Sequence, residues 1–283
     1  MGLLAGSFQH KDLVVMEEYF SDKVVWVTGA SAGFGEALCI ALCQSAKPGG
    51  LILSARRKDE LERVRSRCLE LFPNLNAEVL PLDLSDLSRL GPVAERAKGL
   101  FGRVDVLVNN GGVGFRGLGQ ETSIEEDQHV MNVDFFSGVV LTKALLPEWI
   151  QRQSGHVVQI SSVQGFFGLP GRTAYAAAKH AAVGFYDSLR AEVAENGIAV
   201  TTVCPGYIAT EHGRHAARRV GTHVVEDVAK GISPHVLAPK VLAGIARRKA
   251  EMVPAALDAR LARLLRTIFP SLFFSMMRCR SRL

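Results

Sequence analysis

The chain has 283 residues, 48% hydrophobic and 22% charged, a balance that excludes a disordered polymer. No repeat recurs at any period between about 20 and 50 residues, which excludes solenoids and propellers. The net charge is +5, but six arginines and no acid fall between Ala259 and Leu283, so residues 1–258 carry −1. A nucleic-acid-binding domain would spread basic residues over its folded body, so no nucleic-acid partner is expected.

Five cysteines (Cys39, Cys43, Cys68, Cys204, Cys279) stand at unpaired spacing. That predicts free thiols, a reducing intracellular compartment and no metal site. The N-terminus has no basic start and only a short apolar run, so a signal peptide is not expected. No stretch is apolar for long enough to span a membrane. The organisation expected is a leader at 1–20, one domain at 21–258 and a basic, apolar tail at 259–283.

Along that domain, apolar β-branched runs alternate with amphipathic stretches. Strands are predicted at Val24–Thr28, Gly50–Ser54, Ala77–Leu82, Val104–Asn109, His156–Ser161, Ala199–Cys204 and Glu251–Pro254. Helices are predicted at Gly35–Gln44, Lys58–Leu71, Ser85–Phe101, Ile124–Arg152, Ala174–Glu195 and Pro239–Arg248. Runs such as VVWVT and LILSA are apolar on both faces, as in parallel strands covered on both sides. The fold class expected is α/β, a single-domain doubly wound parallel sheet.

The first strand runs into Thr28-Gly29-Ala30-Ser31-Ala32-Gly33-Phe34-Gly35 and then a helix. Glycines in this position allow a tight turn and a close backbone approach to a pyrophosphate, which sits on the helix N-terminus. The spacing is G-x3-G-x-G rather than G-x-G-x2-G. The second strand ends in Ala55-Arg56-Arg57, and no acid occurs before Asp59. An acid there would hold the ribose 2′-hydroxyl of NAD, whereas Arg56 accommodates the 2′-phosphate of NADP.

Tyr175 and Lys179 lie four residues apart at the start of a helical stretch and share one face. A phenol titrates near ~10, too high for proton transfer at neutral pH. A nearby ammonium favours the phenolate, which makes the tyrosine usable as a general acid or base. Ser162 ends the fifth strand thirteen residues earlier, where doubly wound sheets place ligands, and its hydroxyl can bond a substrate oxygen. Asn110 ends the fourth strand on the same rim. Asn132 stands inside a long predicted helix, a poor place for asparagine, and a functional hydrogen bond accounts for it.

With these elements together, the chain resembles a short-chain dehydrogenase/reductase. The matching segments are TGASAGFG at 28–35, Asp83 in LDLSD, NNGG at 109–112, Asn132 in MNVDFFSG, the serine pair ending at Ser162, YAAAK at 175–179 and PGYIAT at 205–210. The resemblance implies Tyr175 as proton donor and acceptor, and Lys179 as the lysine that lowers its pKa and binds the nicotinamide ribose. It further implies Ser162 as the substrate-oxygen ligand and Asn132 in a water relay to the lysine. Residues 29–35 (Gly29, Ser31, Ala32, Gly33, Phe34, Gly35) would hold the phosphates. Asp83 and Leu84 would line the adenine pocket, Asn110 would make a ribose-side contact, and Ile208 with Thr210 would meet the nicotinamide end. The cofactor implied is NADP(H). One departure is NNGG where the family usually has NNAG. Within the family the chain is most similar to the group of 11β-hydroxysteroid-dehydrogenase-like and dehydrogenase/reductase member 7-like proteins, on SARRKDELERV and ARLARLLRTIFPSLFFSMM. Many of these carry an N-terminal membrane anchor, which residues 1–20 are not expected to supply.

In the tail, Leu261, Leu264, Leu265, Ile268, Phe269, Leu272, Phe273 and Met276 recur at three- and four-residue steps around Pro270, with Arg260, Arg263 and Arg266 in the gaps. That is a basic amphipathic helix. It suits either peripheral contact with an endoplasmic-reticulum-type membrane or docking on the body or on a second subunit of a homodimer. Thr210–Ser233 reads as a substrate lid; His212, His215, His223 and His235 are scattered around it without metal-ligand spacing. The reaction expected is carbonyl–alcohol interconversion on a lipophilic small molecule (steroid, retinoid or keto-lipid). The competing reading is a nucleotide-binding scaffold without turnover, which loss of Tyr175, Lys179 or Ser162 would have favoured.

Overall fold

Val24–Thr28 and Gly50–Ser54 are buried at every position, as strands sandwiched between helical layers must be. The computed structural model describes residues 10–210, 217–218 and 231–280. In chain order the elements are α1 (His10–Phe20), β1 (Val24–Thr28), α2 (Gly33–Ser45), β2 (Gly50–Ser54), α3 (Lys58–Leu71), β3 (Ala77–Val79), α4 (Leu87–Phe101), β4 (Val106–Asn109), β5 (Phe115–Arg116) and α5 (Ile124–Met131). A π-helical turn (Asn132–Phe136) leads into α6 (Ser137–Gln151), β6 (Gly155–Ile160), a 3-10 turn (Val163–Gly165), α7 (Thr173–Glu192), β7 (Ile198–Val203), β8 (Ala217–Arg218), α8 (Pro234–Ala246), β9 (Glu251–Met252), α9 (Leu257–Ile268) and α10 (Pro270–Arg280).

Seven strands form one parallel sheet in the order β3-β2-β1-β4-β6-β7-β9. The order reverses between β1 and β4, and the crevice at such a switch point is where doubly wound sheets bind ligands. On one face Leu38, Leu42, Leu61, Leu237 and Leu242 pack against Val25, Val27 and Leu51. On the other, Leu90, Leu141, Leu145, Trp149 and Tyr186 pack against Trp26, Leu107 and Val157. The α/β class expected from the alternation is the class observed.

Several boundaries shift for local reasons. β3 stops at Val79 because Pro81 has no N–H to give; Leu80 and Leu82 still donate to Leu53 and Ala55 carbonyls at 2.9 Å. β4 begins at Val106, not Val104, because the Asp105 carboxylate takes the Val24 N–H at 2.8 Å and ion pairs with Arg103 and Arg152. The predicted helix Ile124–Arg152 is broken by the π turn. Its N-terminus carries a capping box, Ser123 and Glu126 each accepting the other's backbone N–H. By length and composition Ile124–Gln151 is, among the described residues, the one segment apolar enough to cross a membrane, yet Leu141, Leu145 and Trp149 put it in the core.

No helix was expected in the leader. Residues 10–20 form α1, whose Met16 and Phe20 are fully buried in the core cluster that α2 and α8 share. Tyr19 Oη meets His156 Nδ1 at 2.7 Å. The tail folds as two helices hinged at Phe269, with Pro270 opening the second, where its missing N–H leaves no bond unmade.

Candidate active site

A cleft of about 1790 Å³ runs along the carboxyl ends of the strands. Its floor is the β1–α2 loop. Gly29 and Gly33 have φ of +67° and +60°, the left-handed region that favours glycine. A Cβ on Gly35 would lie 2.2 Å from the Gly29 carbonyl oxygen, so only glycine lets the helix start this close to the strand. The cap residue of α2 is Ala32, which supplies no side-chain bond, and the first-turn N–H groups have no partner within the helix. Glu36 in that turn is neutralised by Arg63, whose two nitrogens reach it at 2.8 and 3.0 Å. An uncapped helix end beside a glycine cradle, with its one carboxylate paired away, fits the pyrophosphate of a dinucleotide.

Thr28 and Asn110 hold this loop to the fourth strand. Thr28 Oγ1 accepts from the backbone N–H groups of Asn110 and Gly111 at 3.1 and 3.0 Å, and the Asn110 amide donates to the Thr28 carbonyl at 3.0 Å. Asn110 lines the cleft, but its amide N–H is directed at the loop. A Cβ on Gly111 would meet the tip of the Leu84 side chain, Cδ1, which would have to turn aside. At the far end, Arg56 and Arg57 are exposed on the cleft rim after β2, and Arg56 makes no salt bridge to a described residue. Hydrogen bonds from the Ser85 backbone and hydroxyl, with Arg56 nearby, hold Asp83 below the ordinary carboxylate range.

Tyr175 and Lys179 reach the cleft from the first turns of α7, with Lys179 Nζ 5.4 Å from the phenol ring centroid. Arg172 stands 5.7 Å over the same ring. Lys179 is buried, and burial lowers an ammonium pKa. The Asp134 carboxylate and Tyr175 outweigh that, and the net direction is up. Across the cleft Ser162 Oγ accepts the Gln164 N–H at 3.1 Å, which leaves its O–H to donate. Ser161 instead donates to the Lys179 carbonyl at 3.2 Å. Ile208 and Thr210 close the glycine-loop side, Thr210 facing Gly33.

Each residue expected from the sequence to act in catalysis or hold the cofactor therefore lines this cleft except Asn132. Asn132 opens the π turn, its carbonyl accepts the Ser137 N–H, and it does not line the cleft. The residue of this turn that meets Lys179 is Asp134, at 3.5 Å. Most of the expected lid, Thr210–Ser233, with His212, His215 and His223, lies outside the described residues; His235 belongs to α8.

The cleft's other wall is the tail. Ala259, Ala262, Phe273, Met276 and Met277 face Phe167 and Leu169. Phe273 is 1% exposed and packs with Val163, Phe167 and Ala255. Arg263 lies 3.8 Å over the Phe166 ring and pairs with Glu251 at 2.8 Å. Docking on the body is thus one of the tail's roles, while Leu257, Leu261, Leu264, Ile268, Phe269 and Leu272 remain exposed.

Residues 23–220 match the family model described as short chain dehydrogenase. The chain belongs to the short-chain dehydrogenase family. It is 42% identical to the dehydrogenase/reductase SDR family protein 7-like of Anopheles gambiae, covering 96% of this chain and 88% of that protein. It is 39% identical to the dehydrogenase/reductase SDR family member 7B of Bos taurus, over 94% of this chain and 84% of the relative. Among solved structures, a short-chain dehydrogenase from Streptomyces avermitilis matches at 33% identity and a TM-score of 0.77, over 92% of this chain and 98% of that one. A short-chain dehydrogenase from Sphingobium yanoikuyae in complex with NADPH matches at 25% identity and a TM-score of 0.71, over 86% of this chain and 92% of that one. Short-chain dehydrogenases are oxidoreductases that use a nicotinamide cofactor, and the cradle described above suits one.

Two contributions to this short-chain dehydrogenase site escaped the sequence reading. Asp134 gave no signal, because a lone aspartate in an amphipathic helix reads as solvated surface. Phe273 was one apolar tail position among eight, with nothing local to mark it as the one facing inward.

Proposed function

We propose that the protein interconverts a carbonyl and an alcohol on a lipophilic substrate with NADP(H), Tyr175 acting as the general acid and base. The observation that carries this reading is the convergence of Tyr175, Lys179 and Ser162 on one cleft floored by the glycine cradle. The cofactor, when bound, supplies or takes up the hydride at the substrate carbon. In the reductive direction Ser162 donates a hydrogen bond to the substrate carbonyl oxygen and fixes its position. Tyr175 gives its phenolic proton to that oxygen as negative charge develops there, and the Lys179 ammonium stabilises the phenolate left behind. In the oxidative direction the same phenolate takes the alcohol proton.

Preference for NADP(H) rests on Arg56, an exposed guanidinium on the rim with no salt bridge to any described residue. The lipophilic substrate class rests on the wall of Phe167, Leu169, Phe273, Met276 and Met277. Purified protein assayed with NADPH and with NADH against a panel of lipophilic ketones and of sugars tests both. Turnover of sugars alone, or equal use of the two cofactors, overturns this reading.

Peripheral membrane contact is part of the proposal. The exposed row Leu257, Leu261, Leu264, Ile268, Phe269 and Leu272 is flanked by Arg260 and Arg266, and no acid occurs from Ala259 onward. That combination of apolar face and cationic flank suits an anionic bilayer surface.

A further inference from the structure

Asp134 is buried, and its two oxygens have different neighbours. Oδ1 accepts the Val113 N–H at 2.6 Å, which ties down the loop after β4. Oδ2 ion pairs with Lys179 Nζ at 3.5 Å and has no hydrogen-bond partner among the described residues. The π turn makes this placement: it inserts a residue into the helical repeat and rotates the next turn of helix by about 100°. Among the described residues, three titratable groups face Lys179. Tyr175 is on its own helix, Asp134 on the turn, and the Cys204 thiol comes directly after β7. Burial pushes that thiol up to about 12, so it stays neutral. Arg172 stands 5.7 Å from the centroid of the Tyr175 ring.

We propose that Asp134 is a positioning residue whose carboxylate is the fixed counter-charge of Lys179, holding the ammonium protonated beside Tyr175. The role rests on the reductase reading given above, while the ion pair itself does not depend on it. An ammonium buried without a carboxylate loses its proton more easily, because desolvation disfavours the charged form. Lys179 is buried, and among the described residues Asp134 is the carboxylate that meets its ammonium.

Asp134→Asn separates charge from anchoring, since the amide oxygen still accepts the Val113 N–H. The alkaline limb of the pH profile for NADPH-dependent reduction should move toward acid by about one unit or more. A second measurement needs no turnover. In cofactor-free protein, Lys179→Met strands a buried carboxylate and lowers the melting temperature. Adding Asp134→Asn to Lys179→Met should raise it again, although Asp134→Asn alone lowers it. Additive melting changes overturn the pair whatever the kinetics. Coupled melting with an unmoved alkaline limb overturns the positioning role. If no substrate turns over, the reductase reading and the positioning role fall together, and the melting cycle still decides the pair.

Discussion

Phe273, on the last helix, meets Phe167, on the segment after β6, edge to face with ring centroids 5.7 Å apart. One ring belongs to the body and the other to the tail, so this contact joins α10 to the cleft. Phe273→Ala should loosen α9 and α10 and open the substrate side. We expect KM for a lipophilic ketone to rise about tenfold or more, roughly 1.4 kcal/mol of binding, with NADPH affinity unchanged. Limited proteolysis should begin within 257–280. Unaltered KM with a protected tail would contradict the assignment of Phe273 to the substrate wall.

Arg56→Ala should reduce kcat/KM for NADPH while leaving that for NADH close to the wild-type value. A charge-assisted bond is worth about 1.5–3 kcal/mol, which corresponds to a loss of roughly 10- to 150-fold. Kinetics with both cofactors checks this, and preserved discrimination would show that the 2′-phosphate is read elsewhere.

Leu264→Glu together with Ile268→Glu changes only exposed tail positions. Sedimentation with anionic vesicles should fall in this variant, and wild-type binding should weaken as salt rises, since cationic attraction is screened over a Debye length of about 8–10 Å. Vesicle binding that persists in the variant would place the contact elsewhere. Wild-type protein that ignores vesicles and elutes as a dimer would make a second copy the occupant of this face.

The fold was legible because its signals are long and repeated: VVWVT, GLILS and their partners are apolar at every position, which few arrangements other than a covered parallel sheet satisfy. Tyr175, Lys179 and Ser162 were legible because their spacing places them on one helix face and one strand end. The π turn was not legible, since one inserted residue leaves the amphipathic pattern of Ile124–Arg152 nearly intact. α1 was missed because His10–Phe20 has weak amphipathicity and holds on through a few specific contacts, among them Tyr19 with His156.

That contact gives a pH prediction. Burial, with the nearby charge of Arg248, lowers the His156 pKa from 6.5 to about 3. The unfolded chain then binds the proton that the folded one refuses. Stability from this group is complete above pH ~6.5 and is lost as pH falls toward 3, by about 1.4 kcal/mol per pH unit at most. Denaturant unfolding at pH 7 and near pH 4.5 should show a steeper loss in wild type than in His156→Gln. Equal losses would mean that His156 protonates without penalty in the folded protein.

The proposed reduction turns on Tyr175 moving the proton. Tyr175→Phe keeps the ring and removes only the transferable proton, and general acid–base catalysis is worth roughly 10²–10⁴-fold. The decisive measurement is NADPH oxidation with a lipophilic ketone by wild type and Tyr175→Phe, beside an NADPH binding titration of each. Turnover should fall by at least about a hundredfold with cofactor affinity nearly intact. A variant that keeps more than about a tenth of the wild-type rate would contradict it.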